Sequence, residues 1–128
     1  MILLVDTHIL LWSTLRLDRV PAAARSLMED EANELVFSVV SLWEIAIKSA
    51  QGRPDFNVDP RRLRRQLLRN TWRELPITGE HALTVFDLPL LHKDPFDRLL
   101  LAQAIVEDAR LVTVDRRLDD YDGPILRV

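Results

Sequence analysis

The chain contains no cysteine, which excludes disulfide scaffolds, thiol nucleophiles and Cys-ligated zinc. Glycine is nearly as scarce. Gly52, Gly79 and Gly123 are the only three, and none belongs to a glycine-rich run that could cradle a nucleotide phosphate. Of 17 basic residues only Lys48 and Lys93 are lysine. No apolar run approaches the roughly 20 residues of a membrane span, so no membrane association is expected. The apolar start Met1–Val5 has no basic residue ahead of it and is interrupted at once by Asp6, unlike a signal peptide, and a cytoplasmic location is expected.

What is present has the balance of an ordinary globular protein: 128 residues, 48% hydrophobic and 29% charged, with a net charge of −3. This length predicts a single domain over residues 1–128 with a core of its own. Arginine is concentrated at Arg61, Arg62, Arg64, Arg65, Arg69 and Arg73. Arginine suits bidentate phosphate contacts, although a solvated helix face is the commoner cause of such a run.

Short apolar runs alternate with helical periodicity. Residues 2–5, 35–39, 72–77, 111–114 and 124–128 are expected strands, and residues 6–15, 21–31, 41–50, 60–70, 79–86 and 96–107 expected helices, with a surface loop over 51–60. The expected inward residues include Leu63, Leu67 and Leu68 in the fourth helix, and Leu99, Leu100, Ala102, Gln103 and Ile105 in the last. Continuous apolar strands separated by helices predict an α/β fold, a central parallel sheet of about five strands covered on both faces. In such sheets ligands sit beyond the carboxyl ends of the strands.

Acidic residues stand at those ends. Asp6 follows the first strand and Asp115 the fourth. Glu44 is expected in the first turn of the helix after the second strand, and Asp97 in the first turn of the helix before the fourth. Each has a local explanation: Asp6 and Asp115 as caps, Ser41-x-x-Glu44 as a capping box, and Asp94-Pro95-Phe96-Asp97 as a capped helix start. Four carboxylates meeting at one sheet edge would repel one another, and a divalent cation with oxygen ligands, Mg²⁺ or Mn²⁺, would neutralise them. Arg98, Arg116 and Arg117 lie beside these acids and are candidates for phosphate contact. The histidines are too few for a His-rich binuclear site, and a helix beginning near residue 7 turns His8 away from Asp6. Ser38 belongs to no Ser-His-acid arrangement, and Trp12, Trp43 and Trp72 read as core or interface packing.

Asp6-Thr7-His8-Ile9-Leu10-Leu11-Trp12, Ser41-Leu42-Trp43-Glu44-Ile45, Asp94-Pro95-Phe96-Asp97-Arg98 with Ala102-Gln103-Ala104, and Leu111-Val112-Thr113-Val114-Asp115 resemble, in order and spacing, the motifs of PIN-domain ribonucleases. The nearest group is the VapC-type toxins of bacterial toxin–antitoxin pairs, and the resemblance spans essentially the whole chain. It implies a PIN-like three-layer α/β/α fold and a Mg²⁺-dependent endoribonuclease in which Mn²⁺ can substitute. The family's metal-binding and catalytic acids fall on Asp6, Glu44, Asp97 and Asp115. Asp6 and Asp97 are expected as direct ligands, Glu44 as the holder of a metal water or general base, and Asp115 as completing a second metal site or acting through water. Thr7, Arg98, Thr113 and Arg116 are expected at the substrate, and Asp94 as a cap. The resemblance further implies an RNA substrate, a cognate antitoxin protein, and a homodimer paired through apolar surface on the early helices.

Two other classes fit parts of the pattern. A haloacid-dehalogenase-like phosphohydrolase expects an Asp two residues after the first acid, where His8 stands, and a lysine near the later acids, which is not found in that role. A non-catalytic binding module would use the acids only as caps and bind no divalent ion specifically.

Overall fold

The computed structural model describes residues 1–128. Five strands, β1 (Ile2–Val5), β2 (Glu34–Ser38), β3 (Arg73–Leu75), β4 (Arg110–Thr113) and β5 (Ile125–Arg127), form one parallel sheet in the order β3-β2-β1-β4-β5. Six α-helices connect or flank them: α1 (Thr7–Leu15), α2 (Ala22–Glu29), α3 (Val39–Ala50), α4 (Pro60–Arg69), α5 (Gly79–Asp87) and α6 (Pro95–Val106).

Side chains alternate across a strand, and here the alternation feeds two cores. Leu3, Val5, Phe37 and Val112 face one side, where Ile9, Leu10, Ala24, Leu63 and Leu67 from α1, α2 and α4 cover them. Leu4, Val36 and Leu111 face the other, under Leu100, Leu101 and Ala104 of α6. Strands buried on both faces explain the unbroken apolar runs. The result is the expected three-layer α/β/α fold.

Strand order reverses between β1 and β4, whose register pairs Val5 with Val112. Asp6 therefore emerges beside Thr113, at the crevice where open parallel sheets bind ligands. No helix is long and apolar enough to cross a membrane.

Three local expectations are corrected. Helix α3 begins at Val39, capped by Ser38, whose side chain accepts the Val40 N–H. Ser41 is thus a buried interior residue rather than a cap, and Glu44 lies beyond the first turn. In α6 the core face carries Leu100, Leu101 and Ala104, while Ile105, about 100° further round than Ala104, is 40% exposed. In α4 Leu63 and Leu67 are buried but Leu68 is 43% exposed. Much of the exposed apolar surface lies on α5 and the loop after it, with Phe86 90% exposed and Leu83 and Leu90 each 74%. Leu15, the last residue of α1, and Leu17 just after it are also exposed.

Candidate active site

A pocket of about 520 Å³ opens at the carboxyl ends of the central strands and is lined by Asp6, Glu44, Asp94, Asp97 and Asp115. Lys48, Arg53 and Arg117 also line it. The topology brings these acids together from positions up to 109 residues apart in the chain.

Asp6 caps α1. Its Oδ1 accepts the Ile9 N–H at 3.0 Å and its Oδ2 accepts the Thr113 hydroxyl at 2.6 Å. Burial raises its carboxyl above the ordinary range, opposed first by the Thr113 hydrogen bond and then by the Ile9 N–H. Glu44 is 3% exposed. It accepts the Thr7 hydroxyl at 2.6 Å and pairs with Lys48 one helical turn on, and the Thr7 Oγ1 also lies 2.9 Å from the Ser41 hydroxyl.

Asp97 stands in the first turn of α6, which Asp94 caps by accepting the Phe96 and Asp97 N–H groups. Burial, followed by the charges of Asp94, Asp115, Glu44 and Asp6, pushes the Asp97 carboxyl up to about 8. Asp115 goes the other way. Burial pushes it up, but the Arg117 guanidinium and N–H grip both its oxygens at 2.9–3.0 Å and bring it down to about 2. Two neighbouring carboxyls driven apart in this way commonly mark a functional site.

Capping accounts for part of this set and not for the rest. Asp6, Asp94 and Asp115 do cap the elements that follow them. Glu44 and Asp97 cap nothing, yet both turn into the same pocket.

Of the residues expected at the substrate, Thr7 lines the pocket but gives its hydroxyl to Glu44, and Thr113 gives its own to Asp6. Both hold acids in place. Arg98 corrects the expectation outright. It is 9% exposed and its guanidinium donates to the carbonyls of Pro89, Val85 and Leu88 and to the Tyr121 hydroxyl. A helix rotates neighbouring residues by about 100°, so Asp97 and Arg98 diverge, and Arg98 fastens the loop before α6. Arg116 is exposed and outside the pocket, and Arg117 takes the inner position. Lys93, which does precede Asp94, is likewise exposed and outside the pocket. His8 lines the pocket, 3.5 Å from Asp55 and edge-on to Phe56, and its imidazole cannot stand for the second carboxylate of a dehalogenase-like site.

Sequence reasoning missed His92, 5% exposed, whose Nε2 is 2.8 Å from Asp97 Oδ2. It also passed over Lys48 and Arg53. The i,i+4 spacing of Glu44 and Lys48 was the one legible signal among these.

A family model for the PIN domain matches residues 3–124. Ribonuclease VapC22 of Mycobacterium tuberculosis is 34% identical over 122 residues, covering 94% of this chain and 92% of that protein. The fold is similar to that in VapBC2 from Rickettsia felis bound to a promoter DNA fragment, with a TM-score of 0.74 and 16% identity over 100% of this chain and 99% of that one. It is also similar to VapBC-1 from nontypeable Haemophilus influenzae, with a TM-score of 0.64 and 20% identity over 99% and 98% of the two chains. A toxin–antitoxin complex from Klebsiella pneumoniae gives a TM-score of 0.61 and 19% identity over 96% and 94%.

Proposed function

The chain belongs to the PIN-domain family, and from that premise we propose that it is a divalent-metal-dependent endoribonuclease acting as the toxin of a toxin–antitoxin pair. The observation that carries the proposal is the crowding at Asp97: a carboxyl pushed up to about 8 by burial and by neighbouring acids in one open pocket. The identity with Ribonuclease VapC22 supports RNA as the substrate.

The donor set fits Mg²⁺, with Mn²⁺ as substitute. It is dominated by carboxylate oxygen, and a cation would relieve the repulsion that forces a proton onto Asp97. Asp6 and Asp97 would hold the ion. Asp6 is fixed through Thr113 and Ile9, and Asp97 projects from the start of α6. When bound, such an ion supplies charge relief at the scissile phosphate and a more acidic attacking water.

The chain's own groups supply the rest. Glu44, held between Thr7 and Lys48, accepts the proton of the attacking water. Asp115 is clamped by Arg117 and contributes negative potential and a rigid pocket wall. Lys48, Arg53 and Arg117 give the RNA backbone a cationic border that the acids alone would repel. A cognate antitoxin is proposed as the protein that restrains this pocket, in the cytoplasm. A second copy of the chain is proposed to pair through exposed apolar surface, on the early helices around Leu15 and Leu17 and on the α5 face around Phe86 and Leu83.

Controlled expression in a bacterial host tests the toxin assignment. Wild type is expected to arrest growth, Asp97→Asn is not, and co-expression of the small protein encoded beside it is expected to restore growth. Soluble wild-type protein that leaves growth unchanged would overturn the toxin assignment.

A further inference from the structure

The loop between α5 and α6 is fastened from two directions. The Tyr121 hydroxyl accepts the N–H groups of Leu91 and His92 at 3.3 and 3.0 Å and the Arg98 guanidinium at 3.0 Å. Arg98 also donates to the carbonyls of Leu88 and Pro89 in this loop and of Val85 in the last turn of α5. The product of this fastening is a single side chain facing the acids. His92 is 5% exposed, and its Nε2 lies 2.8 Å from Asp97 Oδ2 and 3.6 Å from Asp115 Oδ2.

We propose that His92 is the positioning residue of the metal centre: it donates its Nε2–H to Asp97 Oδ2, leaves Asp97 Oδ1 to the ion, and is not itself a ligand. The proposal rests on the metal-dependent reading of the site given above. With an ion bound, Asp97 is ionised and acceptor-only, so the 2.8 Å contact is then favourable when Nε2 carries the hydrogen. Asp97 Oδ1 has no hydrogen-bond donor from the protein, so the donor role leaves the ligand oxygen open without moving the loop. Direct ligation would require Nε2 to lose its hydrogen and would place its lone pair against Asp97 Oδ2 unless the ion lay between them. Ligating carboxylates are commonly oriented by a hydrogen bond of this kind, and its loss typically weakens metal binding by roughly 10–100-fold.

Calorimetric titration of Mn²⁺ into wild type, His92→Ala and His92→Gln, with pulsed EPR of the Mn²⁺-loaded wild type, tests it. Gln places an amide N–H near the position of Nε2. His92→Ala is expected to weaken Mn²⁺ binding about 10–100-fold, His92→Gln to recover most of that loss, and the wild-type spectrum to show no directly coordinated nitrogen. Strong ¹⁴N coupling in the wild type would make His92 a ligand and overturn the proposal. Wild-type affinity in a folded His92→Ala would overturn it too. Wild type that binds no Mn²⁺ would remove the metal-dependent reading and the positioning role together, which separates that failure from the other two.

Discussion

Asp97→Asn should stabilise the metal-free protein, and the gain should grow with pH. The Asp97 side chain is 17% exposed, and burial and four neighbouring acids push its carboxyl up to about 8. In the unfolded chain it returns to its ordinary value near 3.8. Between those values the folded state holds a proton that the unfolded state releases. Stability therefore falls as pH rises from about 4 to about 8, opposite to the behaviour of a salt-bridged carboxylate. A tenfold change in proton affinity is worth about 1.4 kcal/mol, so the penalty that Asn removes has a ceiling of about 4 kcal/mol at pH 7. One effect reduces it: the pocket opens to water, which screens the neighbouring charges. A net gain of about 1 kcal/mol at pH 7 follows, or about 3–5 °C in Tm for a chain of this size. Thermal melts of wild type and variant in chelator at pH 5, 7 and 8.5 measure it. The gain should be near zero at pH 5 and largest at pH 8.5. Saturating Mg²⁺ should then stabilise wild type more than the variant, since the ion binds the folded site by mass action. A variant that melts below wild type in chelator at pH 8.5, or a gain independent of pH, would refute the crowding argument.

Asp6→Asn should keep the fold by circular dichroism while slowing RNA cleavage at least about 100-fold, since the amide retains the cap but not the ligand charge. Arg98→Ala should cost about 3 kcal/mol, visible as a large drop in Tm, because a buried charged donor to three carbonyls and the Tyr121 hydroxyl is lost. Arg116→Ala should stay within about 0.5 kcal/mol of wild type. Phe86→Asp should shift the protein toward monomer in light scattering; an unchanged mass would place self-association elsewhere.

The layers of the fold were legible because both faces of the sheet are covered. That leaves strands such as Ile2–Val5 with no polar interruption, and the helices between them with their own period. Helix phase was less legible. Ser41-x-x-Glu44 has the composition of a capping box, but Ser38 at the end of β2 caps α3 first, and the polar Ser41 is buried under Thr7. Asp6 and Asp115 could be placed at one sheet edge from the strand ends, and Asp97 from the capped start of its helix, whereas Glu44 reaches the same edge from beyond the first turn of α3. Arg98 could not be assigned, since adjacency to Asp97 in sequence means divergence on a helix, and its carbonyl partners lie at the end of α5 and in the patternless loop after it. His92 gave no signal for the same reason: its role depends on Tyr121, 29 residues away, holding its main chain.

Incubation of end-labelled single-stranded RNA with purified wild type, and with Asp97→Asn prepared in parallel, asks whether the acidic pocket cleaves RNA with a divalent ion. Wild type is expected to cut internally in Mg²⁺ or Mn²⁺, and RNA to stay intact both in excess EDTA and with the variant. Cleavage that co-purifies with the protein and persists in EDTA, or that is equal in Asp97→Asn, would refute a metal-dependent acidic site.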